Sequence, residues 1–251
     1  METGKTSKYI TYAIGEIILV VIGILIALYI NNWNIENKNL VKEQVILSQL
    51  HEDYSDNLNQ LEEKIQMRSK LIQSSINVLK QIDTSDILQE SLLMPELLNI
   101  VKDPTFDPIE NNIINSGDIK LIQNDSLKRL LSRWTSDVKQ VQQLELEWQK
   151  MRTDIFISFL IESEIARNFH HATWKEAKAP IELLDNTLES KLDIGLSKFS
   201  NNINKSKTKQ KLESVVSSAI SPNQVANLQS IALRNRIYKI LEIINEDLKE
   251  K

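Results

Sequence analysis

Gly15-Glu16-Ile17-Ile18-Leu19-Val20-Val21-Ile22-Gly23-Ile24-Leu25-Ile26-Ala27-Leu28-Tyr29-Ile30 is an apolar run interrupted by one carboxylate, near the start of a 251-residue chain. From Tyr12 to Trp33 the chain advances 21 residues. At the ~1.5 Å rise of an α-helix that is roughly 31 Å, close to the ~30 Å hydrocarbon thickness of a bilayer. Tyr9 and Tyr12 at one end, with Tyr29 and Trp33 at the other, put aromatic rings where membrane–water interfaces take them. The stretch reads as a transmembrane helix over residues 9–34, preceded by a short tail, 1–8, and followed by a helical extramembrane domain, 35–251. No small-residue cleavage pattern follows the run, so it is expected to stay as an uncleaved signal anchor. Lys5 and Lys8 stand undiluted before it, whereas Lys38 and Lys42 beyond it are interleaved with Glu36 and Glu43. That asymmetry favours a cytoplasmic N-terminus.

Composition removes several functional classes. A formal net charge of −4 offers no basic field for nucleic acid. With no cysteine, disulfides, thiolate metal sites and cysteine nucleophiles are excluded together. Three of the five glycines, Gly4, Gly15 and Gly23, precede the extramembrane part, and stretches such as 31–94 and 118–179 hold neither glycine nor proline. Long helices follow from that, not a sheet with frequent turns. The expected fold is all-α: one transmembrane helix, then an antiparallel bundle of about four to six long helices.

Apolar residues from Leu47 through Tyr54, Leu61 and Ile65 to Ile72, Ile76 and Leu79 recur at helical spacing, the stripe of an amphipathic helix or coiled-coil strand. The asparagines between 31 and 39 leave open whether this helix is continuous with the span. Asp83-Thr84-Ser85-Asp86 should end it, and the shorter helix after it carries Pro95, which implies a kink or two pieces. Asp107-Pro108-Ile109-Glu110 and Ser221-Pro222-Asn223-Gln224 both look like helix starts, with proline at the first helical position. The second should open the last helix, burying Val225, Leu228, Ala232, Ile237 and Ile244, after a polar loop over 200–211. Between them, Asn124-Asp125-Ser126 caps a helix whose stripe runs from Leu127 through Trp134, Trp148 and Ile155 to Phe159. It extends to about Arg167, long enough to lie antiparallel along the first rod. A break over 168–180 would then hold His170, His171 and a modest capping box, Thr173 to Glu176, before a weakly helical stretch over 181–199.

The blocks Lys8-Tyr9-Ile10-Thr11-Tyr12-Ala13-Ile14-Gly15-Glu16-Ile17 and Val20-Val21-Ile22-Gly23-Ile24-Leu25-Ile26-Ala27-Leu28, continuing to Ile30-Asn31-Asn32-Trp33-Asn34, closely resemble the N-terminal signature of a bacterial family of uncharacterised single-pass membrane proteins. A second block, Asn115 to Leu127 with Ser116-Gly117-Asp118-Ile119-Lys120-Leu121-Ile122 at its centre, is similar to an internal motif of that family. The resemblance implies an inner-membrane anchor with a helical extracytoplasmic, periplasmic domain. It carries no activity with it.

Glu16 is the one ionisable group within the run, and an intramembrane acid is a candidate ion or partner site. It lies one turn inside Tyr12, where reaching an interface is cheap, so a packing or depth-setting role competes with proton coupling. Gly15, Gly23 and Ala27 line up with Leu19 at i+4 spacing and would let a second helix approach closely. Ser116, Gly117, Asp118 and Asn124 form a loop that either binds a ligand or is a glycine helix stop followed by a capped restart. His170 and His171 are adjacent and splay apart on a helix, a poor chelate. No catalytic, cofactor or metal site is assigned, and no nucleophile elbow, zinc helix or phosphate loop is present. The expected role is that of a non-enzymatic interaction or scaffold module at the bacterial envelope, in contact with the lipid bilayer and with a protein partner or a second copy of itself as an oligomer. The alternatives are a small-ligand sensor working through a partner's span and an accessory subunit of an ion-driven complex using Glu16.

Overall fold

The computed structural model describes residues 3–110, 113–175, 187–199 and 203–249. No strand occurs among them, and the fold is all-α. Its backbone element is α1, Thr3–Thr84, a single helix of 82 residues, about 123 Å long at ~1.5 Å per residue. The asparagines over 31–39 do not break it. Neither proline nor glycine interrupts that stretch, and an asparagine costs only up to ~0.7 kcal/mol in a helix interior, less than the price of a new nucleus. As expected, Asp83 and Thr84 are its last residues.

From Glu43 onward α1 is one wall of a bundle. The helix α2, Glu90–Ile100, folds back on α1 with Pro95 inside a single eleven-residue piece. A strap without regular structure, 102–110, continues towards the apolar end, followed by a short helix α3, Ile113–Ser116, and a 3-10 turn, Asp118–Leu121. The expected helix start at Asp107-Pro108 is therefore corrected: those residues lie in the strap. The helix α4 spans Asp125–Met151 and passes through a π-helical segment, Arg152–Ile157, into α5, Ser158–Glu162. The chain then stops and restarts as α6, Ala166–Trp174, so the break falls at Ser163 to Ile165 and both histidines sit on a helix. Residues 187–199 are not helical; the remainder of the stretch expected to be weakly helical, and Glu176 of the expected capping box, lie outside the described residues. Last comes α7, Ser206–Lys249, which begins inside the expected loop and takes Pro222 into its interior.

The order of contacts fixes directions. Tyr54 meets Trp134 edge-on with ring centroids 4.9 Å apart, and further along Arg68 meets Glu145, so α4 runs the same way as α1. Glu62 pairs with Arg234 and Gln44 reaches the Asp247 carbonyl, so α7 runs against both. The antiparallel neighbour of the first rod is thus α7; α2 and the strap have already carried the chain back before α4 starts.

Two apolar clusters fill the bundle. One, towards the apolar end, joins Leu47, Leu61, Trp134, Val138, Ile237 and Ile244; the other joins Leu71, Val78, Leu97, Phe156, Phe159 and Val216. At the level between them polar side chains hold core positions: Arg68, Glu145, Ser230 and Asn227 are all buried. This corrects two expected stripes. On α1 the buried line passes through Arg68, Leu71, Ser75 and Val78, with Ile72 and Leu79 half-buried beside it. On α7 it passes through Asn223, Ala226, Ser230 and Leu233, while Val225, Leu228 and Ala232 face outward. In α4 the extra residue of the π segment advances the helical phase, so that Phe156 is buried in place of Ile155.

Candidate functional sites

The apolar segment of α1 behaves unlike the rest of the helix. Every residue from Ile14 to Glu36 is exposed, and the mean hydropathy of the most apolar window is 2.4 with none of that window buried. By length and composition this helix is capable of crossing a membrane. Gly15, Glu16, Gly23 and Ala27 all lie on this exposed length, and a methyl group added at Gly15 or Gly23 meets open space. Among the described residues, no contact requires either glycine. Tyr29 and Trp33 are exposed at its far end; Tyr9 and Tyr12 lie on α1, but their side chains fall outside the described residues.

In the loop, Gly117 adopts a left-handed φ of 82° and ends α3, donating to the Ile114 carbonyl. Ser116 Oγ donates to an Asp118 carboxylate oxygen at 2.7 Å. Asn124 Oδ1 caps α4 by accepting from the Ser126 and Leu127 amides, while its Nδ2 reaches Asp247. A helix stop and a capped restart account for all four residues.

The strap is the feature that periodicity does not reveal. A non-helical backbone inside a bundle must find partners for each buried N–H and C=O, and here side chains of α1 and α4 supply them. Asn57 is buried and answers Ile109 twice, accepting from its amide at 2.7 Å and donating to its carbonyl at 3.1 Å. Gln60 accepts from the Asp107 amide, Gln142 donates to the Phe106 carbonyl, and the Trp148 indole donates to the Lys102 carbonyl. These polar side chains take up backbone groups of the strap that have no helical partner.

At the centre of the clamp is an ion pair. Arg68, fully buried, donates from Nη2 to Glu145 Oε1 at 2.6 Å and to the Pro104 carbonyl at 2.8 Å, and from Nη1 to Ser230 Oγ at 2.8 Å. The second Glu145 oxygen accepts from the Phe106 amide at 3.1 Å. Burial pushes the Glu145 carboxyl up, against the pull of the Phe106 amide and the Arg68 guanidinium, and it lowers Arg68. The pair joins α1, α4, α7 and the strap at one point. Its structural role is strong because losing one partner strands the other in the interior.

Beside the clamp, straddling the polar level, lies a half-open cleft of about 870 Å³. The strap contributes Lys102, Asp103 and Thr105, α1 contributes Lys64 and Met67, and α6 contributes Phe169, His170 and Trp174. The two ends of the π segment, Arg152 and Ile157, complete the wall. Asp103 is held by Arg152 at 3.3 Å and by Gln149 at 3.1 Å. The strap and the π segment were not legible as site-forming elements, since neither has an apolar period; the polar run of Gln142, Glu145 and Gln149 on one face of α4 is the signal that points to them.

A family model described as a family of unknown function (DUF6090) matches residues 16–93, from Glu16 in the apolar segment through α1 to the start of α2. The Asn115 to Leu127 block lies outside the match. No curated protein and no solved structure matches the chain.

Proposed function

We propose that the protein is a membrane-anchored, non-enzymatic interaction module, its helical bundle held at a fixed distance from the bilayer by α1. The observation that carries this reading is the wholly exposed apolar length from Ile14 to Trp33, continuous with a well-packed bundle. A surface of that extent in water is far beyond the few hundred Å² that soluble monomers leave uncovered. Lipid is the solvent that accounts for it, with Tyr29 and Trp33 at the interface and Gly15, Gly23 and Ala27 as the face for a partner span or a second copy. The N-terminus is cytoplasmic and the bundle extracytoplasmic in this reading, as part of a cell-envelope assembly.

The test is fractionation followed by crosslinking. The full chain should remain with membranes through carbonate washing, and single cysteines placed at Gly15, Gly23 and Ala27 of this cysteine-free chain should crosslink above the level of positions on the opposite face. Release into the soluble fraction overturns the anchoring. Uniform crosslinking around the helix overturns the face.

A further inference from the structure

We propose that the cleft between α1, the strap, the π segment and α6 is a binding site for a small organic anion with an apolar body. This goes beyond the anchoring reading and does not depend on it, since none of the lining residues belongs to the apolar segment. The volume, about 870 Å³, is in the range of small-molecule sites. The construction of the walls argues for more than a packing gap. Two irregular elements meet there, a strap held by side chains and a π segment both of whose end residues line the space, and π segments recur at functional sites because they re-aim side chains at a cost in helix geometry.

The chemistry of the lining selects the ligand class. Met67, Leu98, Val101, Ile157 and Phe169 make an apolar floor. Among the described lining residues, Lys64, Lys102 and Arg152 outnumber Glu63 and Asp103, with His170 at the exposed rim. Asp103 already receives hydrogen bonds from Arg152, Gln149 and Thr105, so its charge is largely answered from the protein side, and Glu63 is turned to solvent. The Arg152 bond to Asp103 is long, 3.3 Å, and uses only one of its two terminal nitrogens. A guanidinium has five N–H donors, so this one retains capacity for an added carboxylate or phosphate group. An apolar body on the floor and an anionic head towards Arg152 and Lys102 satisfy both halves of the lining.

The experiment is a calorimetric titration of the full chain, in nanodiscs of zwitterionic lipid, with 2-naphthoate, its uncharged twin 2-naphthamide and the cation 2-naphthylmethylammonium. Saturable one-site binding of naphthoate is expected, at least tenfold tighter than naphthamide or the ammonium compound. Lys102→Gln should weaken naphthoate about tenfold and leave naphthamide within twofold. Val101→Phe, which fills the floor from the C-terminal end of α2, should abolish saturable binding of both while the melting temperature stays close to that of the parent. Failure to saturate, equal affinities for naphthoate and naphthamide, preference for the cation, or unchanged affinity in Val101→Phe would each overturn the site.

Discussion

The helices α1 and α7 run through both halves of the bundle, but what packs against them follows different rules. In the half nearer the apolar segment α1, α4 and α7 lie side by side as uninterrupted helices, their core made of aliphatic residues and the Tyr54–Trp134 pair, with Phe106 of the strap and Ile113 of α3 laid against it. In the far half the chain uses a proline-bearing α2, a π segment, and a stop at Glu164, where a non-glycine residue takes a left-handed φ of 59°. Regular packing yields a rod; irregular packing yields a cleft. Sites need convergent groups that a plain heptad seam does not offer, and here the cleft appears where the helical rules lapse.

That contrast can be broken at the level where the halves meet. Replacing Glu145 by Gln leaves Arg68 buried without its counter-charge and the Phe106 amide with a weaker acceptor, so the loss in unfolding free energy should be about 3–5 kcal/mol by denaturant titration of the full chain in detergent. A loss under about 1 kcal/mol would mean that water, not the pair, satisfies the strap. A second change sharpens the contrast on α7. Proline inside a helix costs ~3 kcal/mol, partly offset by ~1 kcal/mol from its stiffening of the unfolded chain, so Pro222→Ala should stabilise by about 2 kcal/mol. If α7 instead began at Pro222, as the sequence pattern suggests, the same substitution would be neutral or harmful.

The smallest effect belongs to the start of α4. Asp125 stands in the first turn beside Lys128, whose hydrogen bond and charge hold its carboxyl below the usual carboxylate range. A depressed pKa in the folded state contributes stability that is present above the unfolded carboxylate range and lost as pH falls through the folded value. Asp125→Asn should therefore lower the melting temperature slightly at neutral pH and low salt, with the difference vanishing in acid and shrinking in high salt, as thermal scans would read.

Legibility followed the same division. The apolar run, the amphipathic stripe from Leu47 to Ile65, the Asn124 cap and the core positions of Trp134 and Trp148 were readable because each obeys a local rule. The stripes drifted off phase at one level, where Arg68, Glu145, Asn227 and Ser230 occupy places that hydrophobic periodicity assigns to leucine or valine. The strap was misread as a helix start because Asp107-Pro108 is a good local signal, overruled by Asn57 and Gln60 from a helix about fifty residues upstream. The apolar segment was legible as a helix long and apolar enough to cross a membrane. The cleft was not, since its residues are scattered from Glu63 to Trp174 and only the tertiary fold brings them together.

The unbroken passage of α1 from the apolar segment into the bundle makes the two parts mesh like wheels on one axle. Ten residues separate Trp33 from Glu43, the first buried position of α1, a shaft of about 15 Å with ~100° of turn per residue. One residue added to that shaft swings the cleft through about a quarter of a circle relative to Gly15, Gly23 and Ala27 and lifts it by ~1.5 Å, whereas four nearly restore its bearing. The compass direction in which the bundle faces is thus written in the length of the shaft.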